Sequence, residues 1–274
     1  MIKATNLTKN ITPNNVNTLT DFSQQNIAIS DFAIRLFKAS ENSNENTLIS
    51  PLSILCALAM TANGAEGETL NQIENMVGMT NQQLNLYLYS YMKKLPQGEK
   101  YKLNLANSIW FTNDKRFTVN RDFLQTAKDY YDADIYKAAL NNQTCKDVND
   151  WVNKKTGKMI PKILDRFSEN AVMCLVNALA FDAEWDNIYE ENSVSDGEFI
   201  KEDGTKQDAS FMESTENLYL EDDKAKGFMK YYAGGKYAFV AMLPNNGVSI
   251  SEYISSLNSD SLNTLLLNPQ STNV

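Results

Sequence analysis

Histidine is absent from all 274 residues, and that absence excludes more than any other feature of the composition. Without an imidazole the chain can build neither a Ser-His-Asp nor a Cys-His catalytic constellation from its own residues. Only three cysteines occur, Cys56, Cys145 and Cys174, far apart in sequence. With no histidine beside them the usual His/Cys zinc sites are excluded too, and no metal or other cofactor is expected. An odd number cannot pair fully within the chain, so no disulfide framework is expected. Cys56 and Cys174 lie in apolar runs, where free buried thiols are the simpler reading. Eleven glycines and six prolines are too few for a fibrous or low-complexity chain. No apolar stretch approaches the roughly 20 residues of a membrane-spanning helix. The opening MIKATNLTKNITPNN lacks the apolar core of a signal peptide. Runs of one charge sign are also missing, and a net charge of −9 disfavours nucleic acid or a membrane surface as a partner.

What is present is a 43% hydrophobic chain, enough for a substantial core. Residues 1–20 are polar and read as a loose N-terminal arm. From Ser23 to Ala39, Ile29, Phe32, Ala33, Leu36 and Phe37 recur at helical spacing. NTLIS (46–50) reads as a short strand. Pro51 then suits the first turn of a helix that stops at Asn63-Gly64. Helices are expected over 68–77, 82–95 and 120–130, with strands over 102–111 and 132–140. Residues 145–164 read as a helix broken near Gly157 and Pro161. AVMCLVNALAF (171–181) is almost continuously apolar, which marks a strand buried on both faces. Beyond it the pattern turns to β. Residues 197–212 carry an Asp-Gly turn, and 227–244 read as a hairpin with Gly234-Gly235 near its tip. A helix covers roughly 249–257. Helices dominate the first half and strands the second, so one α+β domain over 1–274 is expected.

Three polar residues do not fit their surroundings. Asn177 sits in the middle of the buried strand, where an unpaired amide costs a few kcal/mol. Ser50 and Ser53 flank Pro51 at an apolar strand-to-helix junction. The simplest solution brings all three into one polar cluster inside the core, with the Asn177 amide bonded to Ser50 or Ser53 directly or through water.

At these residues the sequence resembles the serpins. NTLISPLSI matches their Asn-x-x-x-Ser-Pro-x-Ser pattern, and NGAEGETLNQI follows in step through Gly64, Ala65, Thr69 and Ile73. VNDWVNKKTGKMI (148–160) resembles the helix that crosses the front of the main serpin sheet. LVNALAFDAEW (175–185) resembles the strand in which an asparagine precedes a tryptophan by eight residues, and YAFVAMLPN (237–245) a later strand ending in Leu-Pro. Each motif is weak alone. Five in family order are not.

The resemblance implies a serpin fold, with a helix-rich N-terminal half packed on a large central β-sheet and further strands in the C-terminal half. It assigns Ser50, Ser53 and Asn177 to the shutter beneath that sheet, and Trp185 to the breach near its top. It implies no catalytic site and a target protease, serine or cysteine, as partner. Inhibition would proceed by insertion of a cleaved reactive-centre loop into the sheet. A non-inhibitory carrier, chaperone or storage role is the alternative within the family; the compartment is left open, with the family favouring an extracellular one. A serpin continues past the position of Val274 with further strands and the reactive-centre loop. On that reading the chain is the N-terminal three-quarters, inactive alone and prone to associate through an open sheet edge.

A different class is suggested by Ser90-x-x-Lys93 and Lys155-Thr156-Gly157, motifs of serine acyl hydrolases. Yet Lys155 falls in a helical stretch rather than on the strand that chemistry needs, and no Ser-Asp-Asn lies between them. Gly64-Ala65-Glu66-Gly67 lacks the lysine of a phosphate loop and reads as helix punctuation.

Overall fold

The computed structural model describes residues 2–42, 45–201 and 203–272. The chain divides into two compact units. One comprises Met1–Gln97 with Lys102–Phe181, the other Gly98–Tyr101 with Asp182–Val274.

In the first unit, strand β1 (Thr5–Asn6) precedes four helices, α1 (Ser23–Ser40), α2 (Pro51–Ala62), α3 (Gly67–Val77) and α4 (Asn81–Lys94). Strand β2 (Tyr101–Thr112), helix α5 (Arg121–Tyr131), strand β3 (Asp134–Ala138), helix α6 (Asn142–Lys155) and strand β4 (Met173–Ala183) follow. The sheet order is β1-β3-β2-β4, with β2 and β3 parallel and β1 antiparallel to β3.

Period-2 alternation along the strands sorts side chains onto two cores. Ile109 and Phe111 of β2 and Ile135 of β3 pack with Leu55, Met60, Leu84 and Leu88 of the helices. The neighbouring positions Trp110, Tyr136, Val176 and Ala178 face the other way and pack with Val148, Trp151 and Val152 of α6. Trp110 stacks on Tyr136 with ring centroids 4.1 Å apart, and its indole N–H donates to Ser108 Oγ at 2.8 Å. Truncating this fully buried ring to alanine costs about 3–5 kcal/mol. α6 ends at Lys155, and Gly157 and Lys158 just beyond it take positive φ, at the break expected near Gly157. The Asn141 side chain caps its start by accepting the Gln143 and Thr144 N–H groups.

Two expectations fail in this unit. Residues 46–50 form no strand. The segment pairs with nothing among the described residues, and Leu48 is 97% exposed. A strand is defined by its neighbour, and apolar sequence alone supplies none. Nor is the N-terminal arm loose. Asp147 of α6 accepts the Lys3 and Ala4 N–H groups, both at 2.9 Å, and β1 pairs with β3. Further along, Asn14 bonds Asp129, and the Leu19 N–H reaches Ser90 Oγ at 2.8 Å. Backbone hydrogen bonds to distant acceptors tie it down, and hydropathy does not display them.

The second unit holds the hairpin β5 (Val194–Ile200) and β6 (Lys206–Met212), turned at Gly204 with φ +80°. Its other sheet contains β7 (Leu218–Glu221), β8 (Ala225–Tyr231), β9 (Ala238–Pro244) and β10 (Gln270–Ser271) in the order β10-β7-β8-β9. Helices α7 (Ile250–Ser256) and α8 (Ser259–Leu267) follow β9. Gly234, with φ +77°, takes the tip of the β8–β9 hairpin, a conformation that a side chain would resist. The short β1, β7 and β10 carry no period long enough to read from sequence.

Candidate functional site

Ser50 is the N-cap of α2. Its backbone is extended, Pro51 occupies the first helical position, and its Oγ accepts the Ser53 N–H at 3.3 Å. The Ser50 hydroxyl donates to Ser53 Oγ at 3.1 Å. The two hydroxyls therefore meet, and they satisfy an otherwise orphaned helix N-terminus. Among the described residues neither serine is hydrogen-bonded directly to Asn177, where the sequence reading expects its amide to reach one of them directly or through water.

Asn177 has another partner. Its side-chain amide donates to Asn107 Oδ1 at 2.8 Å, and Asn107 donates to the Tyr131 carbonyl at 3.0 Å. The Tyr131 hydroxyl donates to Asn85 Oδ1, and Asn85 donates to Asn63 Oδ1 at 2.7 Å. Asn63 is the C-cap of α2 and also binds the Ala59 carbonyl at 2.9 Å. A chain of amides thus runs from the edge strand to the C-terminal end of α2, while the serines cap its N-terminal end. Burial, with the Cys56 thiol next in effect, holds the Tyr131 phenol protonated well above its ordinary range. The Asn177 carbonyl oxygen is buried with no hydrogen-bond partner among the described residues.

Asn107 was missed in the sequence although the signal was there. Leu103, Leu105, Asn107, Ile109 and Phe111 share one face of β2, so Asn107 is an amide in an apolar register, as Asn177 is.

Trp185 belongs to the second unit. It stacks on Tyr232 with centroids 4.4 Å apart and planes 9° from parallel, and meets the rings of Tyr189 and Phe239 edge-on. An isolated antiparallel bridge joins it to Tyr232. Lys230, only 5% exposed, places its Nζ 4.7 Å from the Tyr189 ring centroid and 5.7 Å from that of Trp185. The same ammonium pairs with Glu216, whose carboxylate also accepts the Ser214 hydroxyl at 2.6 Å. A buried lysine is tolerable because a carboxylate and two ring faces replace its water. Trp110 and Trp151 are buried packing residues.

Ser90 and Lys93 form no catalytic pair. Ser90 is fully buried on α4 with its Oγ occupied by the Leu19 N–H, while Lys93 is exposed and lies over the Tyr89 ring. Thr156 closes the end of α6 rather than lying on a strand. Among the described residues no group of three His, Cys, Asp or Glu side chains could hold a metal ion, and no helix is long and apolar enough to cross a membrane.

Helices on both faces of a sheet, with a buried amide network beneath its edge strand, define a protein organised around that sheet. The chain belongs to the serpin family: the family model "Serpin (serine protease inhibitor)" matches residues 27–274. It is 47% identical to the thermophilic serpin tengpin in its native state, with a TM-score of 0.95 over 99% of this chain and 70% of that one. Against tengpin in its latent state the TM-score is 0.87, over 96% of this chain and 71% of that one, at 48% identity. Among curated relatives, serpin-Z2B of Oryza sativa subsp. japonica is 30% identical over 69% of this chain and 47% of its own length. A serpin-like protein of Methanosarcina acetivorans is 27% identical over 78% and 52%. The chain spans about half the length of the curated relatives it matches.

Proposed function

We propose that the protein containing this chain inhibits serine endopeptidases, with cysteine proteases as a second class of target, by acting as a suicide substrate. The attacked loop would remain attached to the protease as an acyl-enzyme and insert beside β4 as an added strand. Serpin loop insertion is itself a known instance of strand addition and of a strain-releasing switch. The observation that carries the reading is the 0.95 match to the native state of a relative also solved in a latent state. Ser50, Ser53 and Asn177 then serve as the shutter. The unpartnered Asn177 oxygen supports this, because an exchangeable amide suits a sheet that gains a strand. Trp185, stacked on Tyr232 with Lys230 beside its ring, serves at the breach.

A relative 47% identical has been solved as a loop–C-sheet serpin polymer, and we extend self-association to this chain. The test of inhibition is incubation with a protease panel followed by denaturing gels. The 274-residue chain should form no SDS-stable covalent complex. A fusion carrying the part of tengpin's chain outside the match should form one. A complex with the 274-residue chain alone would refute the assignment of the bait to a separate segment. A correctly folded fusion that is cleaved without trapping any protease would favour the non-inhibitory reading.

A further inference from the structure

Two of the three cysteines are placed across one interface. On α6, Cys145 is buried one turn before Val148 and two before Val152, helical spacing that puts it on their side of the helix. On β4, Cys174 shares its face with Val176 and Ala178, which pack against Val148, Trp151 and Val152, and Cys174 packs against the same cluster. The two also lie at the same end of this interface. One cavity of about 910 Å³ is lined both by Asn141–Gln143, at the start of α6, and by Ala171 and Val172, just before β4. Cys145 and Cys174 each follow those linings by two residues. The Cys174 thiol is pushed up first by burial and then by Cys145.

We propose that Cys145 and Cys174 are a redox-sensitive pair whose disulfide staples the first turn of α6 to the edge strand β4. Cys174 is half-buried and Cys145 almost fully buried, which sets the order of events. The Cys174 thiolate attacks glutathione disulfide and expels one glutathione thiolate. Cys145 then attacks the Cys174 sulfur and expels the second. One glutathione disulfide is reduced to two glutathiones as two protein thiols become one disulfide. Cys56 stands apart as an internal control. It is fully buried in the other core, and burial raises its thiol to about 12. The proposal is independent of the inhibitory reading, since it concerns only the packing of α6 on the sheet.

The test is oxidation of the folded 274-residue chain by glutathione disulfide, alkylation of remaining thiols, and tryptic mapping without reduction. The expected product is peptide 138–146 joined to peptide 167–201, with Cys56 recovered alkylated only after denaturation. The bridge closes a loop of about 30 residues, so the thermal midpoint should rise on the order of 5 °C and fall back with dithiothreitol. Cys145→Ser should stop at the glutathione adduct of Cys174, and Cys56→Ser should still bridge. The proposal fails if wild-type Cys174 accumulates as the adduct, if neither thiol reacts, or if Cys174 pairs with Cys56 or another chain. A bridge that leaves the midpoint unchanged would refute the staple.

Discussion

The Asn177 amide donates to Asn107 Oδ1 at 2.8 Å across neighbouring strands, and this bond joins the edge strand to the amide chain that ends at the α2 C-cap. Removing one partner leaves a buried donor unsatisfied next to an oxygen that already lacks a partner. Asn107→Ala is therefore expected to cost about 2 kcal/mol. Asn177→Ala should cost less, because it removes the orphan oxygen together with the donor. The double variant should be less destabilised than the sum of the two singles, since both report on one bond. Urea denaturation of the four chains measures this. Strict additivity would show that the bond is energetically silent.

Much of this arrangement was legible in advance. Pro51 preceded by serine and Asn63-Gly64 at the far end marked α2 almost to the residue, because caps and breakers are local chemistry. Asn177 was recognisable as a polar residue in an apolar strand. Its partner was not, because hydrogen bonds between strands depend on register, and register is a tertiary property. Family likeness and polarity pointed to Ser50 and Ser53. The same polarity test applied to β2 would have singled out Asn107. Lys230 escaped notice for another reason. A lysine in an alternating hairpin reads as solvent-facing, and only Glu216 and the rings of Tyr189 and Trp185, distant in sequence, make its burial tolerable.

That ion pair is a sensitive point of the second unit. Lys230→Met should leave the Glu216 carboxylate buried and uncompensated, at a cost of about 3–5 kcal/mol. Lys230→Met combined with Glu216→Gln should recover a large part of the loss. Trp185 fluorescence should shift in the single variant, because the cation beside its ring is gone. Equal stability of the single and double variants would contradict the pairing.

The N-terminal residues offer a local readout. Asp147 Oδ2 accepts two backbone N–H groups, and a hydrogen bond to a carboxylate is worth about 1.5–3 kcal/mol. Asp147→Ala should release Lys3 and Ala4, seen as faster hydrogen exchange at those amides. The amides of α2 should keep their protection. Unchanged exchange at Lys3 and Ala4 would show that β1 pairing alone holds the segment.

Alkaline pH should destabilise the first unit for a defined reason. Burial raises the Cys56 thiol from about 9 to about 12, so above the unfolded value the folded chain retains a proton that the unfolded chain has lost. The contribution is fully present below pH 9 and is lost as pH rises toward 12, at about 1.4 kcal/mol per pH unit. Tyr87 and Tyr131, raised in the same direction by burial, steepen the fall above their ordinary values. Cys56→Ala should flatten the dependence by about one proton between pH 9 and 10, where tyrosine contributes least. Denaturation midpoints measured across that window decide it.

The edge of the first sheet sets the last expectation. Among the described residues β4 pairs only with β2, and MCLVNALAFDA carries one charge, at Asp182, and no proline. Lysine, proline or a bulge would blunt such an edge, and it has none of these along most of its length. The 274-residue chain should therefore associate as its concentration rises, with β4 amides gaining protection in the larger species. Light scattering coupled to size exclusion, with hydrogen exchange on each peak, reads both effects. A monomer at every concentration, with slow exchange on the open side of β4, would mean that another segment covers this edge. Association with β4 unprotected would instead place the contact elsewhere, the exposed hairpin residues Phe199, Ile200 and Met212 being the next apolar surface to test by charge substitution.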